Sequence, residues 1–178
     1  MQLLNDLRNY RRLDYRHRIY LLSFLIALSG VLSVLDMMIP KPLPMAKIGL
    51  ANIVTLIMIM EGQFYPALIV AFFRTFVASL MIGSFLSYTY LLSLSGATGS
   101  VLFTWIFYRL FQSDFTETGL SVIGAFSSTV CQGLIVIAFF GADKGTLLLV
   151  STFSLISIGF GFATGLIAKS IRRSAFRP

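Results

Sequence analysis

Among the ionisable residues inside or beside the long apolar runs of this chain, Asp36, Lys41, Lys47 and Arg74 are the candidates for chemistry. Neutral hydrogen-bonding side chains share those runs, notably Asn52, Ser93, Ser95 and Gln132. Arg74 is the most demanding of them, because it lies mid-run in Ala71-Phe-Phe-Arg-Thr-Phe76. A guanidinium keeps its charge when buried. It therefore needs a carboxylate, backbone carbonyls, water or an anionic ligand around it, and an ionisable group at such depth marks a functional position by default. Pairing with Asp36, or snorkelling to a headgroup, are the structural alternatives. Lys41, Lys47 and Arg74 stand against Asp36 alone, a balance that suits a ligand with an anionic end. The candidate solute-contacting set is therefore Asp36, Lys41, Lys47, Asn52, Arg74, Ser93, Ser95 and Gln132.

Other chemistries have little to build on. The chain has one histidine, His17, in a basic tail, and one cysteine, Cys131, in an apolar run. No Cys/His cluster exists for zinc or haem, so no metal or other cofactor is expected. There is no phosphate-binding loop. The aspartates Asp6, Asp14, Asp36, Asp114 and Asp143 are scattered, whereas holding Mg²⁺ on a diphosphate takes clustered oxygen ligands. No catalytic residues are assigned, and the chain alone is not expected to be an enzyme.

The polar groups are positioned by the segment Ile39 to Asn52. Pro40, Pro42 and Pro44 fix φ and lack amide donors. They make a stiff connection, which is either a plain connector or a pre-shaped contact surface with a low ordering cost. Asp36 closes the first apolar run, where a carboxylate opposes the helix dipole. Lys41, Lys47 and Arg74 are the cations available to compensate. Asn52 lies deeper than Lys47 and needs hydrogen-bond partners.

Around these residues the chain is overwhelmingly apolar. Of 178 residues, 57% are hydrophobic and 12% charged, with a mean hydropathy of +0.86. Soluble domains carry roughly 25% charged residues, so the solvent here is a bilayer. Six runs are long or apolar enough to be read as helices crossing it: about 19–36, 46–60, 64–82, 85–110, 119–140 and 146–168. The second is short and polar at its start. Short connections leave no room for a soluble domain. The organisation is thus a basic arm (1–18), a six-helix transmembrane domain (19–168) and a basic tail (169–178).

The net charge of +7 is concentrated at the two ends. An even number of spans puts both ends on one side, and the positive-inside rule makes that side cytoplasmic. The proline segment then faces outward. This distribution fits anionic lipid and excludes nucleic acid as the partner.

Small residues recur at helix-packing intervals. Ser23, Ala27 and Val31 line one face of the first run, Ser157, Gly161 and Gly165 one face of the sixth, and Ser95, Gly96, Gly99 and Ser100 cluster in the fourth. Each is either internal packing or a face that docks a partner helix, with the first run the favoured docking face.

The run Asp36-Met-Met-Ile-Pro-Lys-Pro-Leu-Pro-Met-Ala-Lys-Ile-Gly-Leu-Ala-Asn-Ile-Val-Thr-Leu56 resembles the Gx transporter family, which often carries the label heptaprenyl diphosphate synthase component I. That family groups with the substrate-binding S subunits of energy-coupling-factor (ECF) transporters. Arg74, Ser93-Leu-Ser-Gly-Ala-Thr-Gly-Ser100 and Ser121-Val-Ile-Gly-Ala125 leading to Gln132 extend the likeness over about residues 20–170. Asp36 stands where the family usually has Glu, and Ser128 and Thr129 where it usually has a His-Asn pair. The resemblance implies an all-α bundle of six transmembrane helices, ECF S-component-like, in the bacterial cytoplasmic membrane with both termini cytoplasmic. It implies an outward-facing pocket for a small solute, anionic or related to isoprenoids or quinones. It also implies a transmembrane coupling subunit and two cytoplasmic ATPases as partners, with Ser23, Ala27 and Val31 facing the coupling subunit. The alternative is an accessory, non-catalytic component of heptaprenyl diphosphate synthase.

Overall fold

The computed structural model describes residues 6–38, 49–111 and 116–175. Lys41, Lys47 and the three prolines lie outside the described residues. Six helices are described: α1 (Tyr15–Met38), α2 (Leu50–Met60), α3 (Phe64–Ile82), α4 (Tyr88–Phe111), α5 (Glu117–Phe140) and α6 (Lys144–Ala175). A short 3-10 turn, Tyr10–Arg12, precedes them. No strand occurs among the described residues. The protein is an all-α, polytopic membrane bundle.

Five of the helices are long and apolar enough to cross a bilayer, and α2 is the exception. With 11 residues it is about 16 Å long at 1.5 Å per residue, roughly half the ~30 Å of a hydrocarbon core. The sequence predicts this run over 46–60, but the described helix begins only at Leu50. Gly49, at φ 82°, starts it in the left-handed region that glycine enters without strain. Its far end is equally local in origin. Gly62, at φ 74°, lets the Gly62 and Gln63 amides donate back to the Ile59 and Met58 carbonyls, 2.9 Å each, which turns the chain straight into α3. Pro66 falls in the first turn of α3, where no intrahelical amide is lost. Gly83, at φ 73°, closes α3 in the same way as Gly62 closes α2.

Helix α2 is the axis of the bundle. It packs against all five other helices, and Ala51 and Ile53 to Ile59 are all buried. Around it α1 packs on α3, α3 on α4, α4 on α5 and α5 on α6. The apolar core, including Met58, Ile59, Ala67, Val70, Val101 and Leu120, surrounds the C-terminal half of α2. Leu7 and Tyr10 of the N-terminal arm are buried against this core. Residues such as Phe24, Phe72, Leu134, Leu155 and Phe162 point outward and form an apolar exterior that suits lipid.

The small residues of α4 and α6 are internal packing. A Cβ on Gly161 would come within 2.8 Å of the Val122 Cα, and one on Gly165 within 2.6 Å of the Thr118 Cα, so α6 lies directly on the α5 backbone. A Cβ on Gly99 would meet the Cys131 side chain, and one on Gly124 the Thr104 hydroxyl at 2.7 Å, which sets α4 against α5. Ser23, Ala27 and Val31 differ. All three are exposed along the outer face of α1.

At the basic end of the bundle Arg172 ties three elements together. Its guanidinium reaches Glu117 at 3.1 Å and Glu61 at 3.4 Å, joining the end of α6 to the start of α5 and the α2–α3 turn. The Tyr108 hydroxyl donates to the Met60 carbonyl at 2.9 Å in the same layer.

Candidate functional site

Among the described residues α2 fills only one half of the bundle axis and leaves the other half open. A cavity of about 80 Å³ occupies it, room for on the order of six waters. Its floor is the start of α2 (Gly49, Ala51, Asn52), and its walls are the end of α1, the end of α3, the start of α4, and facing stretches of α5 and α6. It lies in the half opposite the Arg172 cluster and the basic termini.

Arg74 enters this cavity from α3 and is only 3% exposed. Among the described residues its hydrogen bond runs to Asn52, whose Oδ1 accepts from Nη2 at 2.5 Å. Its Nε and Nη1 are buried with no hydrogen-bond partner. Leaving a buried donor unsatisfied costs about 1–3 kcal/mol, more where the group is charged. The arginine is thus held at one edge and bare elsewhere.

Asp36, 5% exposed, lines the same cavity. Its Oδ2 accepts the Gly49 amide at 3.1 Å. The carboxylate that ends α1 unfavourably therefore also caps α2, where the dipole favours negative charge. Arg74's directional bond goes to Asn52 and not to Asp36. The pairing of Arg74 with Asp36 expected as an alternative is replaced by this arrangement.

The polar wall comes from α5. Gln132, 7% exposed, donates from Nε2 to the Ser128 hydroxyl at 3.1 Å. Gly96 on α4 makes the space, since a Cβ there would sit 2.8 Å from the Ser128 Oγ and run into the Gln132 amide. Ser128 and Thr129 both line the cavity, and so do Ser93 and Ser33.

Of the residues read from the sequence, Asp36, Asn52, Arg74, Ser93 and Gln132 come together around this space. Ser95 does not line it. Its hydroxyl donates to the Leu92 carbonyl of its own helix at 3.1 Å, because it sits two residues from Ser93 and so on another face of α4. Lys41 and Lys47 lie outside the described residues. Sequence reading missed Thr75, Ser79, Ser157 and Thr164, which also line the cavity. Their signal was weak, since serine and threonine are common in membrane helices as internal hydrogen-bonding groups.

A second, open groove lies at the basic end, lined by Tyr10, Arg18, Tyr65, Trp105 and Arg109 among others. Arg18 stacks over Tyr10 and Arg109 over Trp105, with 5.8 and 5.3 Å to the ring centroids. Its arginines and aromatic rings are the usual furniture of a headgroup layer.

Fold and site together define a polytopic membrane protein whose helices enclose a polar, arginine-bearing cavity. Residues 25–171 match the family described as heptaprenyl diphosphate synthase component I, and the chain belongs to that family. No curated protein and no solved structure matches the chain.

Proposed function

We propose that this protein is the solute-binding membrane subunit of an importer of the energy-coupling-factor type. It captures a small solute in the α2-floored cavity, and other polypeptides supply the energy. The observation that carries this reading is Arg74, deeply buried, half unpartnered and facing a space large enough for a ligand. A group left in that state is stabilised by an acceptor that comes and goes. The cavity's place opposite the basic ends supports an outward-facing mouth, with both termini on the cytoplasmic side of a bacterial inner membrane. In this reading α2 counts as the sixth membrane segment although it fills only half the depth. Lys41 and Lys47, which lie outside the described residues, belong to the same solute-capturing set in this reading.

The partners in this reading are a transmembrane coupling subunit and two cytoplasmic ATPases. The exposed face of Ser23, Ala27 and Val31 is the surface assigned to the coupling subunit, since small residues let helix backbones approach closely in lipid. The test is co-expression with the coupling subunit and ATPases of the same cell, followed by affinity purification through a tag on this chain. Recovery of an ATP-hydrolysing complex is expected. Recovery of this chain alone, from membranes that contain the other subunits, would count against the importer reading.

The family's description favours a second reading, an accessory and non-catalytic component of heptaprenyl diphosphate synthase. Co-purification with a prenyl-elongating enzyme, in place of the ATPases, would select it.

A further inference from the structure

We infer that the solute held in this cavity is a small hydrophilic anion: a carboxylate or phosphate seated on Arg74, attached to a compact body rich in O–H or N–H donors, and without an isoprenoid chain. This rests on the reading of the cavity as a solute site and narrows its substrate class.

The anionic end follows from Arg74. Its Nε and Nη1 lack partners while Nη2 is fixed on Asn52, so the plane of the guanidinium is pre-set before a ligand arrives. Asp36 does not fill the need, since it is engaged with the Gly49 amide at the α2 N-terminus. Carboxylate and phosphate oxygens are the acceptors that match a guanidinium in strength and geometry.

The donor-rich body follows from where the wall hydroxyls send their hydrogens. Ser33 donates to the Ser29 carbonyl at 2.9 Å, Ser79 to Phe76 at 2.7 Å and Ser157 to Ser154 at 2.7 Å. Thr75 and Thr129 likewise donate to carbonyls of their own helices. A hydroxyl has one hydrogen and two lone pairs. Once the hydrogen is committed to the helix, the lone pairs are what remain for a ligand. Those acceptors stand opposite the Arg74 cation, beside the Ser128 hydroxyl, which accepts from Gln132 and keeps its own hydrogen, and the apolar side chains of Phe153, Ile156 and Phe160; the acceptors are complementary to a solute that is anionic at one end and donates hydrogen bonds from its body.

The same acceptors discriminate against a prenyl chain. An isoprenoid would strip water from these oxygens and from the Gln132–Ser128 pair without replacing a single hydrogen bond, a loss that specific sites convert into strong discrimination.

The experiment is a thermal-denaturation series on the purified full-length chain in nanodiscs, at constant ionic strength against chloride. The probes are gluconate (hydroxylated carboxylate), glycerol 3-phosphate (hydroxylated phosphate), hexanoate (carboxylate without hydroxyls) and farnesyl diphosphate (prenyl anion). Gluconate or glycerol 3-phosphate is expected to raise the midpoint saturably, and whichever does so identifies the anionic group. Hexanoate and farnesyl diphosphate are expected to raise it less. Arg74→Gln should abolish the rise. If that variant does not fold, Arg74→Lys keeps the charge but loses the planar fork, and at least a tenfold higher half-saturation concentration is expected. Equal or greater protection by hexanoate or farnesyl diphosphate, protection that survives loss of Arg74, or no protection by either hydroxylated anion would overturn the inference. The importer reading stands or falls separately on recovery of the ATPase complex.

Discussion

The Arg74 guanidinium on α3 donates to the Asn52 side chain on α2 at 2.5 Å, across 22 positions of sequence. This single bond fixes the floor of the cavity to its wall. It also leaves the rest of the guanidinium facing the space. Replacing Asn52 with Leu should remove the only side-chain anchor described for Arg74 and destabilise the chain by about 1–3 kcal/mol, read as a lower thermal midpoint. Asn52→Asp should do the opposite to stability and yet harm binding. The new carboxylate would neutralise Arg74 in place, and anion protection should weaken at least tenfold. An Asn52→Asp chain that binds as well as the parent would show that Arg74 is not the anion's seat.

Gly96 is expected to be a binding position although it contacts no solute. Gly96→Ala would push its Cβ against the Gln132–Ser128 pair, reorienting the polar wall. Overpacking of this kind costs about 1–3 kcal/mol. Gly159→Ala is the control, because a Cβ there meets nothing within 4 Å. It should be neutral or slightly stabilising, as expected for alanine over glycine in a helix. Equal thermal midpoints for the two variants would contradict this account of the α4–α5 contact.

The small residues of α6 and of α1 should behave in opposite ways. Gly165→Val should destabilise the isolated chain, since the Thr118 backbone is in the way and cannot yield as a flexible side chain would. Ala27→Trp, on the exposed face of α1, should leave the midpoint of the isolated chain unchanged and, on the importer reading proposed above, reduce recovery of a coupling subunit. Normal recovery of the assembly by Ala27→Trp would rule out that face as the contact.

Asp143 precedes α6 and accepts the Thr146 amide at 3.0 Å. Hydrogen bonds from the Thr146 side chain and then from its backbone hold the carboxyl below its ordinary value. A depressed value means the folded state favours the ionised form. The cap therefore contributes above the ordinary aspartate range near ~3.9 and is lost as pH falls through the lower folded value. The Thr146 amide resonance should titrate with a midpoint under the ordinary one, and Asp143→Asn should abolish the titration. A midpoint at or above the ordinary value would refute the cap.

Sequence alone settled the solvent and the elements. Apolar content this high allows no soluble core, and Gly62, Gly83 and Gly141 stand where the described helices end. The predicted third run, 64–82, coincides with α3. Sequence also singled out Arg74, because a charge at that depth needs a partner, and it left Asn52 as a group in need of one too. What it could not supply was the pairing of those two needs. Nor could it show that Asp36 at the end of α1 is also at the start of α2, where the same dipole effect changes sign. Most of all, the cavity exists because α2 is too short to fill the axis it occupies, and the hydroxyls that line it are ordinary at the level of composition. Which of many membrane serines and threonines face one space depends on how five helices are rotated around a sixth, and that rotation is set by close contacts at glycines such as Gly96, Gly161 and Gly165. Those contacts join residues far apart in the chain, so only the packed structure could decide them.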